Sequence, residues 1–109
     1  MEAEHFAELD ELDAGYWWFA TRFEAVWRLG TRTLGRRPAR VVDLGCGTGT
    51  FLAWLMQEKG MAPDALLGLD QSELGLAAAA QRGVPARRFD LSGEALAQAI
   101  DAPPDMFVM

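Results

Sequence analysis

Asp43, Gly45, Gly47 and Gly49 stand at alternate positions in the run Asp43-Leu44-Gly45-Cys46-Gly47-Thr48-Gly49, Asp70 closes a further apolar stretch, and Asp90 follows the short stretch Ala86-Arg87-Arg88-Phe89. Carboxylates so placed can accept hydrogen bonds from hydroxyl and amino groups or attract a cation. The three alternate glycines let the backbone turn sharply and bring a small molecule against main-chain N–H groups at a helix start, where a side chain would obstruct it. Apolar Val41 to Leu44 delivers the run, and the helix-like stretch Thr50 to Lys59 follows it. The pattern predicts a strand, a glycine turn and a helix. The loop therefore reads as a cradle for a small molecule; the alternative is a tight strand-to-helix turn that binds nothing.

Two phosphate-binding patterns fail on this loop. A dinucleotide fingerprint would have its third glycine at position 50, where Thr50 stands, and would place Asp43 against a pyrophosphate. A P-loop would need Gly-Lys-Ser/Thr after the glycines. The stretch Val41 to Gly49 instead resembles, without a gap, the first motif of the class I S-adenosylmethionine-dependent methyltransferases: an acidic residue, any residue, then three alternate glycines. That cofactor carries an ammonium and a sulfonium in place of phosphates, so a carboxylate at the turn attracts it. The resemblance implies an α/β, Rossmann-like parallel sheet with flanking helices, S-adenosylmethionine as cofactor, and Asp43, Gly45, Cys46, Gly47 and Gly49 as cofactor-binding positions. A non-catalytic cofactor-binding module is the first alternative, and a nicotinamide-dependent oxidoreductase ranks behind it.

Farther along, Ala65 to Leu69 predicts a second buried strand that ends at Asp70, twenty-five positions after Gly45 and close to where nucleotide-binding sheets place a ribose-binding acid. Asp70, with Gln71 beside it, is expected to grip the two ribose hydroxyls. Asp70 is also a candidate N-cap for the alanine-rich segment Leu74 to Arg82, a task that Ser72 can perform as well. Ala86 to Phe89 predicts a third strand closed by Asp90-Leu91. The resemblance assigns this pair to the adenine, Asp90 at the exocyclic amine and Leu91 through its backbone; on its own, Asp90 is equally a cap or turn residue. Asp105 to Met109, after the turn Ala102-Pro103-Pro104, predicts a fourth strand, and the resemblance implies the order 3-2-1-4. An apolar central strand with no turn or cap behind it leaves an open edge. Residues 37–109 therefore read as the cofactor-binding half of a longer enzyme, with an edge that a partner chain could occupy.

Residues 1–36 read as a helical lead-in or lid. Tyr16-Trp17-Trp18-Phe19 leads into a predicted helix from Thr21 to Leu34, with Phe23, Val26, Trp27 and Leu34 at helical spacings. Tyr-Trp-Trp-Phe, two residues, then Arg resembles the lead-in helix of many bacterial small-molecule methyltransferases. In that resemblance Trp17 or Trp18 walls the methyl-transfer pocket, and Arg22 meets the cofactor carboxylate or holds the lid. Aromatic core packing with a surface arginine is the other reading. No catalytic residue is assigned, because methyl transfer in line with the departing sulfur relies chiefly on proximity and orientation. The acceptor expected from the resemblance is a small molecule.

The 109 residues, half of them apolar, suit a single core. The one cysteine, Cys46, excludes a disulfide framework and a cysteine-rich zinc site, and no metal is expected. Charge is uneven: residues 1–13 carry minus six, 14–40 plus five, and the remainder minus five. That balance argues against general nucleic-acid binding and assigns the arginines between Arg28 and Arg40 to a solvated helix face and its exit loop. No apolar run approaches the ~20 residues of a membrane span, and the acidic start does not resemble a secretory signal. The cytoplasm is the expected location. His5, the sole histidine, lies in that acidic start and is not expected to be catalytic.

Overall fold

The computed structural model describes residues 13–90, 92 and 95–109, with side chains from residue 17 onward. His5 and Leu91 lie outside the described residues. Helix α1, Asp13–Leu34, begins well before Thr21, so the aromatic segment expected as a lead-in is itself helical. No proline interrupts it, and its large side chains pair at i, i+4. Phe19 and Phe23 stack with ring centres 6.1 Å apart, and the Arg22 guanidinium carbon lies 5.8 Å from the Trp18 ring centre. Val26, expected on the apolar stripe, is exposed, as are Trp17 and Trp18. The helix stops at Gly35, whose positive φ of 75° turns the chain while its N–H donates to the Thr31 carbonyl.

The chain divides into two compact units after Gly35. In the second, β1 (Val41–Leu44), α2 (Thr50–Lys59), β2 (Leu66–Asp70), α3 (Glu73–Gln81), β3 (Ala86–Arg88), the short α4 (Leu96–Ala99) and β4 (Met106–Val108) follow one another. The strands form one parallel sheet in the order β3-β2-β1-β4, as expected. Val41 faces Leu66 on one side and Met106 on the other, and Gly68 faces Ala86. Parallel neighbours require crossover connections, and α2 and α3 supply two of them.

Four strand boundaries differ from the sequence reading, among them the end of β4, which stops at Val108 rather than Met109. Ala65 belongs to a 3-10 turn begun by Pro63, whose fixed φ favours that turn over extended chain. Phe89 leaves the strand to enter the core, although its N–H still donates to the Asp70 carbonyl. Asp105 turns its side chain back on the chain before β4 starts.

Val42, Leu67, Leu69, Phe89 and Ala99 build the core on one face of the sheet, with Leu44, Leu96 and Ile100 against them. Strand alternation sends Val41, Asp43, Gly68 and Asp70 to the other face, where Leu52 of α2 approaches Gly68. At the amino-terminal ends of the strands, the Arg40 carbonyl accepts the N–H groups of Asp105 and Met106. The edge strand β3 carries exposed Arg87 and Arg88, which discourage pairing with other chains.

Candidate functional site

The loop between β1 and α2 passes beside the β2–α3 turn at the carboxyl ends of the strands, where open α/β sheets bind ligands. A cavity of about 270 Å³ opens there, lined by Leu44, Gly45, Leu69, Asp70, Gln71, Phe89 and Met109. Gly45, Gly47 and Gly49 adopt φ values of 79°, 58° and 78°, in the left-handed region that side chains disfavour. Their surroundings differ. A Cβ on Gly45 or Gly47 would meet nothing within 4 Å, whereas one on Gly49 would lie 2.9 Å from the Cβ of Ala79. The first two glycines face open space; the third lets α3 pack against the loop.

The hydrogen bonds of the loop correct one expectation. Gly45 and Cys46 donate their N–H groups to the Leu69 carbonyl at 2.6 and 3.1 Å, Gly49 donates to Cys46 at 3.0 Å, and Gly47 donates to Asp70 Oδ2 at 2.8 Å. These donors are engaged within the protein rather than turned toward a ligand. The loop is thus anchored to the end of β2, beside the acceptor carboxylate of Asp70.

Asp70 joins both halves of this rim. Its Oδ1 accepts the Ser72 N–H at 2.8 Å while Oδ2 holds Gly47. The capping question is answered by Ser72, whose Oγ accepts the Gly75 N–H at 3.1 Å and caps α3. Asp43 is buried in the central strand between Gly68 and Val108. Burial and then Asp70 push its carboxyl up to about 7. Cys46 is buried as well, and burial, Asp43 and Asp70 push its thiol up to about 12, which keeps it protonated and unreactive.

The remaining expected site residues are less gathered. Gln71 lines the cavity. Asp90 follows β3 and accepts both the N–H and the hydroxyl of Ser92 through Oδ1, at 3.0 and 2.7 Å, and these bonds hold its carboxyl below the usual range. Leu91 is outside the described residues, and Arg22 lies in the first unit on Trp18. Among the described residues no group of three or more metal-ligating side chains occurs.

Sequence reasoning did not assign Leu44, Leu69, Phe89 and Met109 of the cavity lining to the site, nor two glycines packed against the loop. A Cβ on Gly68 would lie 2.7 Å from Cys46 Sγ, and one on Gly75 would lie 2.8 Å from the Gly47 carbonyl oxygen. The available signal was a glycine inside a strand and another inside a helix, each marking a close approach of backbone.

The family described as methionine biosynthesis protein MetW matches residues 30–109. Among solved structures, the plantazolicin methyltransferase BamL, in complex with a triazolic desmethylPZN analog and SAH, is similar with a TM-score of 0.60 and 23% identity, over 78% of this chain and 32% of that one. The plantazolicin methyltransferase BpumL in complex with SAH is similar with a TM-score of 0.54 and 24% identity, over 68% of this chain and 29% of that one. BpumL bound to a monoazolic desmethylPZN analog and SAH is similar at 25% identity and a TM-score of 0.54, over 69% of this chain and 30% of that one. The chain spans about a third of the length of these enzymes. The likeness establishes the Rossmann-like methyltransferase fold. No curated protein sequence matches the chain.

Proposed function

This chain belongs to the MetW family, and on that premise we propose that it is the S-adenosylmethionine-binding part of a methyltransferase acting on a small-molecule acceptor. The observation that carries the reading is the loop whose Gly45, Cys46, Gly47 and Gly49 amides are already paired, beside two carboxylates and an open cavity. A pyrophosphate needs N–H donors and is repelled by Asp43 and Asp70, whereas ammonium, sulfonium and ribose hydroxyl groups need acceptors or negative charge. The cavity falls just below the ~300 Å³ at which small-molecule sites begin, a fit for part of such a cofactor. The plantazolicin methyltransferases of the same fold hold SAH, the demethylated product of that cofactor.

When bound, S-adenosylmethionine supplies an electrophilic methyl group on its sulfonium. The chain binds and orients it. Asp70 keeps lone pairs beyond its two internal bonds for the ribose hydroxyls, and Gln71 flanks them. Asp43, beneath the loop, supplies negative potential. The loop from Gly45 to Gly49 offers its backbone, with no side chain in the way at Gly45 and Gly47, while the Cys46 thiol lies beside Gly68 and Gly49 makes room for Ala79. Asp90 and Leu91 take the adenine. Arg22 meets the cofactor carboxylate or holds residues 1–36 as a lid. No general nucleic-acid affinity is expected of this acidic protein, and the cytoplasm is its proposed location; no helix among the described residues is long and apolar enough to cross a membrane.

Calorimetry tests the reading. S-adenosylmethionine and S-adenosylhomocysteine should bind, and NAD should not; tight NAD binding with no response to either sulfur compound would overturn it.

A second reading, a cofactor-binding module completed by another polypeptide, is favoured by the outer side of β4. Phe107 is 39% exposed there, above an apolar hollow lined by Leu96, Ile100 and Pro104. Phe107→Lys should then abolish association with the completing chain while leaving cofactor affinity unchanged. Association that survives the substitution counts against this reading.

A further inference from the structure

The geometry points to Gly75 as a positioning residue for the cofactor loop: the missing side chain seats α3 on the Gly47 carbonyl and so sets where that loop stands over the cavity. The inference rests on the reading of the cavity as a cofactor site. Gly75 is the third residue of α3, with nothing in its backbone that demands glycine, since its φ is not positive. Inside a helix, glycine is a poor choice relative to alanine. Space, not conformation, explains it. A Cβ at this position would lie 2.8 Å from the Gly47 oxygen and 3.1 Å from the Gly47 carbonyl carbon. Both are backbone atoms, which cannot swing aside as a side-chain tip would.

The contact closes a ring. Asp70 holds the Gly47 N–H with Oδ2 and the Ser72 N–H with Oδ1; Ser72 Oγ holds the Gly75 N–H; Gly75 rests on the Gly47 carbonyl. One residue of the glycine loop is thereby gripped at both its N–H and its C=O, from the β2–α3 turn and from the first turn of α3. The two rims of the cavity move as one body, and a ligand meets a loop already in place. Gly75 touches no ligand in this arrangement; it acts through Gly47.

Helix propensity and positioning give opposite signs for one substitution. In Gly75→Ala, propensity alone raises the melting temperature by a few degrees and leaves ligand affinity untouched. Positioning requires that the melting temperature not rise, that S-adenosylhomocysteine affinity measured by calorimetry fall at least tenfold, and that the Gly47 amide of the ligand-free protein exchange with deuterium at least tenfold faster. A raised melting temperature with unchanged affinity and unchanged Gly47 exchange overturns the inference. Should Gly75→Ala not fold, Ser72→Ala decides, because it opens the same ring without adding an atom: Gly47 exchange should quicken severalfold and affinity should drop severalfold, and no change in either sinks the proposal. Wild-type protein that binds neither sulfur compound overturns the cofactor reading, and then Gly47 exchange in the variants still decides whether Gly75 positions the loop.

Discussion

Asp43 and Asp105 lie toward opposite ends of one four-stranded sheet, and their environments differ in sign. Asp105 stands where β1 and β4 begin; its Oδ2 accepts the Ala39 N–H at 2.7 Å and the Arg36 guanidinium at 2.6 Å, and its Oδ1 accepts the Arg40 N–H at 2.8 Å. Burial alone would raise its carboxyl, yet these donors outweigh burial and hold it well below the usual carboxylate range. Asp43 stands beneath the glycine loop, where burial and the neighbouring Asp70 act together to push it up to about 7. One carboxylate is satisfied by the fold and clamps two strands. The other is buried near a second carboxylate, a condition met where a cationic ligand balances the charge.

Four experiments bear on this contrast, the strongest first. Asp70→Ala removes the acceptor of Gly47 and Ser72 together with the proposed ribose contacts. With each charge-assisted bond worth roughly 1.5–3 kcal/mol, cofactor affinity should fall by about a hundredfold or more. A loss below tenfold in calorimetry would place the ligand elsewhere.

Asp43 gives a pH signature. Its folded value, about 7, lies above the ordinary 3.8, so between those values the native state holds a proton that the unfolded chain has lost. Stability should therefore decline as pH rises from about 4 to about 7, by at most ~1.4 kcal/mol per pH unit, and level off above that range. Asp43→Asn should flatten this limb in denaturant melts, and a slope that persists in the variant assigns it to another group. Ionised Asp43 also favours a cation, so affinity for S-adenosylmethionine should gain more between pH 6 and 8 than affinity for the uncharged thioether product.

Asp105 should behave in the opposite sense. Its depressed carboxyl contributes stability above the ordinary carboxylate range that is lost as pH falls below about 4. Asp105→Ala should cost roughly 1–3 kcal/mol at neutral pH and leave cofactor affinity as it was. A matching loss of affinity would mean that the two ends of the sheet are coupled. The smallest effect belongs to Arg36→Ala: its ion pair with Asp105 is largely exposed, and a stability change under ~1 kcal/mol is expected.

Much of this arrangement was legible because it rests on local rules. Val41 to Leu44, the glycine run and Thr50 to Lys59 show a strand, turn and helix in their own residue types. Ser72 reads as a cap from its place before an alanine-rich helix. The start of α1 was less legible, since aromatic residues are compatible with a helix or with an extended approach, and the helix began earlier than Thr21. Ala65 and Phe89 were misplaced by one residue each because strand ends depend on which neighbour supplies the pairing.

By itself, then, the sequence determined the succession of the strands and of the two longer helices between them and the presence of a glycine turn flanked by acids, consequences of periodicity and backbone preference along a continuous chain, while the parallel Rossmann-like class and its strand order came through the resemblance of the glycine motif. Only the tertiary structure decided how the parts of that turn divide the work. The Gly45, Cys46 and Gly47 amides pair with the end of β2, Gly49 yields to Ala79, and Gly75 yields to the Gly47 carbonyl. It likewise buried Asp43 near the like-charged Asp70 while giving Asp105 three donors. Those outcomes depend on distances between segments remote in sequence, and a carboxylate or a glycine carries the same letter whether its neighbour is a backbone amide, a second carboxylate or an open cavity.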